Sequence, residues 1–285
     1  MEQSSRPTTG ELVAALRAAG CVYAEEEAAI LADAAGSTAD LALMLARRVQ
    51  GFPLEHIVGW ARFYGMRIAV APGVFVPRRR SEFLVDQALA ALKSRPGRAD
   101  PPRILDLCCG SGAVGAALAE TLDKKPAGGD SGCELHGTDI DQAAVDCAAG
   151  NVAPFDGYVY CGDLFAPIPV RLRGSFDLIV ANAPYVPSAS IAFMPQEARI
   201  HEPEAALNGG ADGLELHRRI AADAPRWLRP HGRLLLECSI RQAPVSAGIL
   251  TTSGFSTSIS TSEELDDSVV TGRLGSGLHI GRGTG

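Results

Sequence analysis

The sequence has few features that would place it outside the cytoplasm or bind a metal. None of its 7 cysteines stands in a Cys-x-x-Cys spacing, so neither a disulfide framework nor a zinc site is expected, and the thiols are predicted to be reduced and buried. His217, His231 and His279 also lack ligand spacing and are predicted to be surface or incidental residues. Residues 1–10 contain no apolar signal-peptide core, and no apolar run is long enough for a membrane span. These absences predict a cytoplasmic protein without a metal site.

Positive charge is scarce as well. The formal net charge is -7, and the one obvious basic run is Arg78–Arg80. We therefore expect no strong general binding of nucleic acid. Apolar residues are abundant, because 46% of the 285 residues are hydrophobic and only 21% are charged. That composition is sufficient for one large domain with a buried core and a smaller second domain.

The N-terminal part of the chain has the pattern of a small helical domain, which is predicted over residues 1–62. Apolar residues recur at the spacing of an α-helix in three segments, which are residues 11–17, 25–35 and 40–49. Thr8 or Thr9 can cap the first of these helices. We therefore expect these short helices to pack together as a bundle.

A connecting β-hairpin is predicted between the two domains, over residues 63–80. Residues 63–70 alternate as a strand does, Pro72-Gly73 is a turn signal, and residues 74–76 suit a second short strand. The remaining residues, 81–285, are predicted to form the main domain.

Strands and helices alternate along the main domain. Strand patterns occupy residues 103–108, 133–138, 157–162, 175–181 and 232–238, and helical patterns occupy residues 81–93, 112–121, 141–149 and 213–228. This alternation predicts an α/β fold with a mostly parallel sheet that is covered on both faces. Residues 254–260 and 268–274 suit an antiparallel pair at the sheet edge. Residues 124–132 are predicted to be a surface loop, and the Gly-rich tail 275–285 is predicted to be mobile.

A glycine-rich turn follows the first of these strands, in the run Cys108-Cys109-Gly110-Ser111-Gly112. Its glycines allow a ligand to approach the backbone, and a helix N-terminus follows. Residues 110–115 match the pattern G-x-G-x-x-G, which alone is weak and also fits a plain tight turn. Asp106 before the turn would repel a pyrophosphate, but it suits a ligand that carries an ammonium and a sulfonium group, as S-adenosylmethionine does.

Acidic residues stand at the tips of the next two strands. Asp139 follows the second strand, at the place where open α/β sheets bind ribose hydroxyls, and Asp141 suits a helix cap. Asp163 follows the third strand and can accept a hydrogen bond from the adenine amino group, with Leu164 or Phe165 packing on the ring. Each aspartate alone is as easily a cap or a turn residue. Their recurrence at successive strand tips indicates a ligand site at that edge of the sheet.

The fourth strand ends in the loop Asn182-Ala183-Pro184-Tyr185. An amide followed by a proline at a strand tip can be a plain turn, but the same residues suit methylation of a planar amino group. The Asn182 side-chain oxygen and the Ala183 carbonyl can both accept hydrogen bonds from an NH2 group, which orients it and stabilises the charge that develops on nitrogen. Pro184 stiffens the loop, and Tyr185 offers a face for stacking. These four residues are the predicted catalytic residues.

The predicted cofactor site lies at the carboxyl edge of the sheet and combines the turn, the strand tips and this loop. Its predicted residues are Asp106, Cys108, Gly110, Ser111, Gly112, Asp139, Ile140, Asp163, Leu164 and Asn182.

Several of these motifs resemble those of the protein-(glutamine-N5) methyltransferases of the HemK/PrmC type, and the likeness covers nearly the whole chain. Residues 182–185 match the Asn-Pro-Pro-Tyr motif of that family. The other matching segments are residues 51–59, 63–65 and 76–78 in its interdomain stretch, and residues 201–207 and 209–214 after the catalytic loop. Generic methyltransferases lack the last stretch, so that match is the most specific one.

The resemblance implies a Rossmann-like class I methyltransferase sheet of seven strands, with an N-terminal helical bundle that recognises a protein substrate. It implies S-adenosylmethionine as the methyl donor and S-adenosylhomocysteine as the product. The implied acceptor is the glutamine of the GGQ motif in a peptide-chain release factor. On this basis we expect Pro77 and Arg78 to join Asn182 and Tyr185 in binding the substrate.

The sequence departs from the family pattern at three places. The family's Pro-Arg-Pro-Glu-Thr-Glu is Pro-Arg-Arg-Arg-Ser-Glu at residues 77–82. Cys108 replaces the first glycine of the family's Asp-x-Gly-x-Gly turn, and Ala183 replaces the first proline of its catalytic motif. Ala183 still offers its carbonyl, so the acceptor geometry can survive in a less rigid loop.

Three other functions remain open on the sequence alone. An amino-methyltransferase that acts on a nucleobase or a small-molecule amide would use the same chemistry. A NAD-dependent oxidoreductase would fit the G-x-G-x-x-G string, although Asp106 and the Asn182 loop argue against it. A non-catalytic cofactor-binding protein would fit the departures at Cys108 and Ala183.

Overall fold

The computed structural model describes residues 6–95, 100–123 and 132–275. The predictions of a surface loop at 124–132 and of a mobile tail at 275–285 fall almost entirely outside these residues. Within the described parts, no helix combines the length and the apolar composition that crossing a membrane requires.

The N-terminal part folds into short helices, which confirms the predicted helical bundle. They are α1 Thr9–Ala18, α2 Ala24–Ala34, α3 Thr38–Val49 and α4 Leu54–Val58, the last of which was not predicted. Thr8 caps α1 through a capping box, because its hydroxyl accepts from the Glu11 amide while the Glu11 carboxylate accepts from the Thr8 amide. The helices enclose a small core that includes Leu12, Leu31 and Leu41.

A hairpin of β1 Trp60–Phe63 and β2 Met66–Ala69 follows the bundle. Its turn is Tyr64-Gly65, where both residues have a positive φ, 50° and 76°, as a two-residue hairpin turn requires. Pro72-Gly73 does form a turn, which the Val74 amide closes by donating to the Ala71 carbonyl at 3.1 Å, but it does not join two strands, and the strand predicted at 74–76 is wrong. The valines of that predicted strand pack instead into a small apolar cluster with the hairpin.

The rest of the described chain forms an α/β fold around a seven-stranded sheet, as predicted. Its elements are α5 Glu82–Lys93, β3 Arg103–Leu107, α6 Ala113–Asp123, β4 Glu134–Asp139, α7 Gln142–Val152, β5 Tyr158–Cys161, β6 Phe176–Ala181, α8 Gln196–His201, α9 Glu215–Asp223, β7 Leu228–Cys238, α10 Ala243–Thr252, β8 Phe255–Ser262 and β9 Asp267–Leu274. The helix predicted over 213–228 is shorter, because Pro225 lies in a separate 3-10 turn. The division of the chain into domains stays a prediction.

The strands are ordered β5-β4-β3-β6-β7-β9-β8. Strands β3 to β7 run parallel, and β9 pairs antiparallel with both β7 and β8, which confirms the predicted edge pair. From β3 the chain winds outward to β4 and β5, and then returns to the other side of β3 as β6. The loops after β3 and β6 therefore diverge and leave a crevice at the carboxyl edge of the sheet.

Both faces of the sheet are buried. In β6 the residues alternate between two apolar clusters: Ile179 packs on the face that α9 and α10 cover, and Val180 packs on the face that α5 and α6 cover. Every residue of β6 is buried, as a central parallel strand requires. This rigid strand carries the predicted catalytic loop at its end.

His217 was predicted to be a surface or incidental residue, but the structure buries it. It is fully buried on α9, its Nδ1 lies 2.9 Å from the Ser246 hydroxyl on α10, and burial lowers its pKa to about 4. The prediction is wrong because this histidine lies on the face of α9 that packs against α10. His231 is exposed, as predicted, and His279 lies outside the described residues.

The cysteines are all free thiols, but their exposure varies. Cys238 in β7 is buried, Cys161 at the end of β5 is exposed, and the others lie between these limits. Their predicted burial is therefore wrong except at Cys238. In the described parts of the chain, no group of three or more His, Cys, Asp or Glu residues is arranged to hold a metal ion.

Candidate active site

A cavity of about 380 Å³ lies at the carboxyl edge of β3, β4, β5 and β6. The predicted site residues that line it are Pro77, Arg78, Asp106, Cys108, Gly110, Ser111, Asp139, Ile140, Asp163, Leu164, Asn182, Ala183, Pro184 and Tyr185. Gly112 is not among the lining residues. A Cβ at Gly112 would lie 3.0 Å from the Ala148 Cβ, so this glycine serves the close packing of α6 on α7.

The turn between β3 and α6 has a left-handed backbone at Cys108, Gly110 and Gly112, with φ values of 55°, 54° and 75°. Glycine adopts such values freely, whereas a residue with a Cβ loses about 1 kcal/mol there. Cys108 thus occupies a position that suits glycine. Burial raises the pKa of the Cys108 thiol, which keeps the thiol protonated beside the cavity.

Asp106 stands at the base of the cavity, where it is 3% exposed. Its Oδ2 accepts a hydrogen bond from the Gly115 amide at 2.9 Å. A Cβ at Gly115 would lie 3.2 Å from that oxygen, so the glycine keeps this approach open. Burial raises the pKa of Asp106 to about 7, and the nearby Asp139 carboxylate adds to the rise. A cation that entered the cavity would stabilise the ionised form of Asp106.

Asp139 ties the tip of β4 to the glycine-rich turn. Its Oδ2 accepts from the Gly110 amide at 2.8 Å and its Oδ1 accepts from the Asp141 amide at 3.0 Å. Burial raises the pKa of Asp139. Asp141 caps α7 by accepting from the Ala143 amide, which confirms its predicted role. Each oxygen of Asp139 retains a lone pair for a further donor, such as a ribose hydroxyl.

Asp163 follows β5 and has a partner that the sequence did not indicate. Its Oδ2 accepts from the Arg219 guanidinium at 2.5 Å, which links the tip of β5 to α9. Leu164 lines the cavity in a left-handed conformation, with φ of 47°. Phe165 stacks on Trp227 instead, with ring centroids 5.7 Å apart in the core. Of the two candidates for packing on an adenine ring, only Leu164 faces the cavity.

The loop after β6 places two hydrogen-bond acceptors at the cavity. The Asn182 Nδ2 donates to the Ser81 hydroxyl at 2.9 Å. Among the residues that the structure describes, none donates to the Asn182 Oδ1 or to the carbonyl of Ala183. Both residues line the cavity; Asn182 is partly exposed and Ala183 is fully buried, so the Asn182 side chain is the more accessible of the two groups.

The stretch at residues 201–214 folds against this loop. Val186 forms a bridge to it, with its amide donating to the Leu207 carbonyl at 3.1 Å and its carbonyl accepting from the Gly209 amide at 2.9 Å. A Cβ at Gly209 would lie 2.6 Å from the Pro184 carbonyl oxygen, and a Cβ at Gly213 would overlap the Tyr185 carbonyl oxygen. These glycines are therefore required for the close packing that holds the loop in place.

Arg78 lines the cavity, but its charge is paired. Its guanidinium contacts the Glu202 carboxylate at 2.5 Å, and Glu202 also accepts from the Val76 amide at 3.3 Å. The Arg78 guanidinium also lies over the Phe75 ring, 5.1 Å from its centroid. This ion pair links Arg78, in the segment after the hairpin, to Glu202 in the stretch at 201–214.

A buried polar network behind the loop was missed by the sequence analysis. Glu237 is fully buried in β7, and its Oε1 accepts from the Ser81 hydroxyl at 3.0 Å and from the Tyr185 hydroxyl at 3.4 Å. The Arg80 guanidinium lies 3.9 Å from the same oxygen, and Asp267 contributes a second buried carboxyl group. One signal was available, because Glu237 directly follows the apolar run Leu234–Leu236.

Comparisons with known proteins show that the chain is similar to methyltransferases. The family model of the methyltransferase small domain matches residues 65–212. The release factor glutamine methyltransferase of Gloeobacter violaceus is 37% identical over 215 residues, which cover 74% of this chain and 70% of that protein. The enzyme of the same name from Geobacter sulfurreducens is 34% identical over 235 residues, which cover 81% and 77% of the two chains. A methyltransferase structure from Pyrococcus furiosus is similar with a TM-score of 0.51 at 16% identity, covering 81% of this chain and 97% of that one, which shows a shared fold.

Proposed function

We propose that this chain, which belongs to the release factor glutamine methyltransferase family, transfers a methyl group to the side-chain amide nitrogen of a glutamine in a protein. The observation that carries the proposal is the pair of acceptors at the end of β6, the Asn182 Oδ1 and the Ala183 carbonyl. Both residues line the cavity, with Asn182 partly exposed and Ala183 fully buried, and neither oxygen has a donor among the described residues. A primary amide offers two N–H groups, which is what two such acceptors require.

The cavity fits S-adenosylmethionine as the methyl donor. Asp106 and Asp139 line the part of the cavity next to the glycine-rich turn, here called the cofactor half, and favour a ligand with an ammonium and a sulfonium group, while Asp163 in the same half is paired with Arg219. Asp106 would hold the ammonium, Asp139 the ribose hydroxyls and Asp163 the adenine amino group, with Leu164 against the ring. The same carboxylates would repel the pyrophosphate of NAD, which disfavours the oxidoreductase alternative. When bound, the cofactor supplies a methyl group on a sulfonium, an electrophile that needs no metal.

The residues of the loop act on the acceptor nitrogen. An amide nitrogen is a poor nucleophile because its lone pair is delocalised. It would gain positive charge as the new C–N bond forms and the sulfur–methyl bond breaks, and it would then release one of its two protons to leave a neutral N-methyl amide. Asn182 and Ala183 accept its two N–H groups, which fixes its orientation and stabilises that charge. The Tyr185 hydroxyl donates to Glu237 and the Arg80 guanidinium lies over its ring, 5.6 Å from the centroid, so the opposite face of the ring would stack on the planar amide.

The acceptor that we propose is the glutamine of the GGQ motif in a peptide-chain release factor. The names of the relatives support this substrate, and the specific stretch at 201–214 packs directly on the catalytic loop. A cytoplasmic location follows from this substrate, because release factors act during translation.

The test is methyl transfer from labelled S-adenosylmethionine by the purified protein to three acceptors offered separately. These are a bacterial release factor, the same factor with its GGQ glutamine changed to glutamate, and total tRNA. We expect label in the unaltered release factor only. Label in tRNA would favour the amino-methyltransferase of nucleobases. No label in any acceptor, although the cofactor binds, would contradict the proposal.

A further inference from the structure

Three side chains form a continuous polar chain behind the catalytic loop. The Asn182 Nδ2 donates to the Ser81 hydroxyl at 2.9 Å, and the Ser81 hydroxyl donates to the Glu237 Oε1 at 3.0 Å. Ser81 is 2% exposed and Glu237 is fully buried, so water does not compete for these bonds. Residues 79–81 form a 3-10 turn before α5, and Glu237 is the penultimate residue of β7, which lies between β6 and β9, so the chain is anchored on regular elements.

The direction of this chain determines which atom of Asn182 faces the cavity. An ionised carboxylate only accepts hydrogen bonds, so Ser81 donates its single proton to Glu237. The Ser81 oxygen can then only accept, and only the NH2 end of the Asn182 amide can donate to it. The Asn182 Oδ1 is consequently turned the other way, toward the cavity that Asn182 lines.

We propose that Ser81 and Glu237 are positioning residues, which keep the Asn182 amide turned with Oδ1 toward the methyl acceptor and so make the site select an NH2 group. The inference rests on the proposed function, because it assigns a purpose to the orientation of Asn182. With the amide turned over, the Asn182 NH2 would face the substrate NH2, and neither group could accept from the other. The loop would then still bind the cofactor but would not orient the nitrogen.

The charged groups around Glu237 determine when it can act in this way. Arg80 from the 3-10 turn favours the carboxylate, while Asp267 at the start of β9 opposes it, and Tyr185 from the catalytic loop donates to it. Asp267 is fully buried, and among the described residues neither of its carboxyl oxygens has a hydrogen-bond partner. Burial and mutual repulsion raise the pKa of Asp267 as well as that of Glu237, so the two carboxyl groups lose their protons in coupled steps.

Protonation of Glu237 would reverse the chain. A protonated Glu237 can donate to Ser81, which can then donate to the Asn182 oxygen and allow the amide to turn over. Burial raises the pKa of Glu237 above its usual value, so this reversal falls within an accessible pH range. Turnover at saturating cofactor should therefore decline as the pH falls, because the ionised form of Glu237 is lost.

The first experiment compares Ser81→Ala, Ser81→Thr and the control Ser246→Ala, which removes a buried hydroxyl on α10 that bonds to His217. We expect kcat to fall by about 10- to 100-fold in Ser81→Ala, which is the usual scale for a misoriented catalytic amide. Cofactor Kd should stay within about 2-fold, and Ser81→Thr should restore kcat because it keeps the hydroxyl. Ser246→Ala should leave kcat unchanged.

The second experiment compares the pH profile of kcat in the unaltered protein and in Glu237→Gln. A glutamine at 237 still accepts from Ser81 through its oxygen but does not titrate, so we expect the acidic decline to disappear while part of the activity remains. An unchanged kcat in Ser81→Ala, or the same acidic decline in Glu237→Gln, would overturn the inference. Failure of the unaltered protein to methylate any amide would instead contradict the proposed function, so the two failures are distinguishable. The pH profile also decides the matter if Ser81→Ala does not fold.

Discussion

The two halves of the cavity are built in different ways. In the cofactor half, which Asp106, Asp139 and Asp163 line, Asp106 bonds to an amide 9 residues away, Asp139 to one 29 residues away and Asp163 to an arginine 56 residues away. In the acceptor half, which the loop at residues 182–185 forms, Asn182 bonds to a side chain 101 residues away, which in turn bonds to one 156 residues away. The cofactor half therefore has the shorter sequence separations, and its carboxylates all stand at strand tips. The acceptor half depends on the tertiary fold, so changes there should affect chemistry without affecting cofactor binding.

We expect Asn182→Ala to have the largest effect on turnover of the substitutions in the acceptor half. We expect kcat to fall by about 100-fold or more, because one of two acceptors for the reacting nitrogen is lost. Cofactor Kd, measured by calorimetry, should stay within about 2-fold. Gln142→Ala, which removes an exposed amide on α7, is the matched control and should leave both values unchanged. Equal loss of cofactor binding and turnover in Asn182→Ala would mean that the two halves are not separable.

Gly213→Ala should disturb the same half through the backbone. The added Cβ would overlap the Tyr185 carbonyl oxygen, and the residue has φ of 78°, so the catalytic loop must shift. We expect kcat to fall by about 10-fold and the free energy of unfolding by about 2 kcal/mol. Thermal unfolding measures the second effect.

Gly248→Ala on α10 is the control for that variant, because a Cβ there meets nothing within 4 Å. This alanine should stabilise the helix by about 0.5–1 kcal/mol and leave kcat unchanged. If Gly213→Ala and Gly248→Ala have the same kcat, the close packing of the 201–214 stretch on the loop does not contribute to turnover.

The cofactor half should show its own pH dependence through Asp106. Its pKa is raised to about 7, so cofactor Kd should rise by up to about tenfold per pH unit below that value, as the carboxylate that pairs with the ammonium is lost. For the folding stability of the free protein, the effect of pH through Asp106 has the opposite sign. A raised carboxyl pKa stabilises the fold at low pH, and this stability is lost as the pH rises through about 7. In Asp106→Asn we expect weak cofactor binding without this slope. If the pH dependence of cofactor Kd persists in Asp106→Asn, another group is responsible for it.

Cys108→Gly should have the smallest effect. Glycine relieves about 1 kcal/mol of left-handed strain but increases the entropy of the unfolded chain by a similar amount. We expect the free energy of unfolding to change by less than about 1 kcal/mol and cofactor Kd by less than about 2-fold. Cys108→Val, with a branched side chain at the same φ, should be clearly less stable. Equal stability of the two variants would show that the turn is not strained at this position.

The fold was largely predictable, because its signals are local. Alternating strand and helix patterns gave the parallel sheet and its antiparallel edge, and Thr8 and Asp141 capped the helices where their spacing indicated. The hairpin turn was misplaced, since Pro72-Gly73 is a stronger turn signal in sequence than Tyr64-Gly65, yet only the latter pair closes the strands. Which of the two turns closes the hairpin depends on strand pairing, and the sequence does not show which strands pair.

The site was predictable in part for the same reason. The tips of consecutive strands in a parallel sheet meet at one edge, so Asp106, Asp139 and Asp163 could be assigned to one cavity from their positions alone. Ser81 and Glu237 could not be paired in this way, because nothing local links a 3-10 turn to the end of β7. The sequence carried one sign of the network, a glutamate directly after the apolar run Leu234–Leu236.

The central claim is that the acceptor half orients a glutamine amide for methylation. The most direct test is to incubate the protein with methyl-labelled S-adenosylmethionine and a purified bacterial release factor, and to locate the label by mass spectrometry of the peptides. We expect one methyl group on the side-chain nitrogen of the GGQ glutamine, and an initial rate of labelling lower by about 100-fold or more when Asn182→Ala replaces the unaltered protein at saturating cofactor. Label on another atom or residue, or equal labelling by Asn182→Ala, would contradict it.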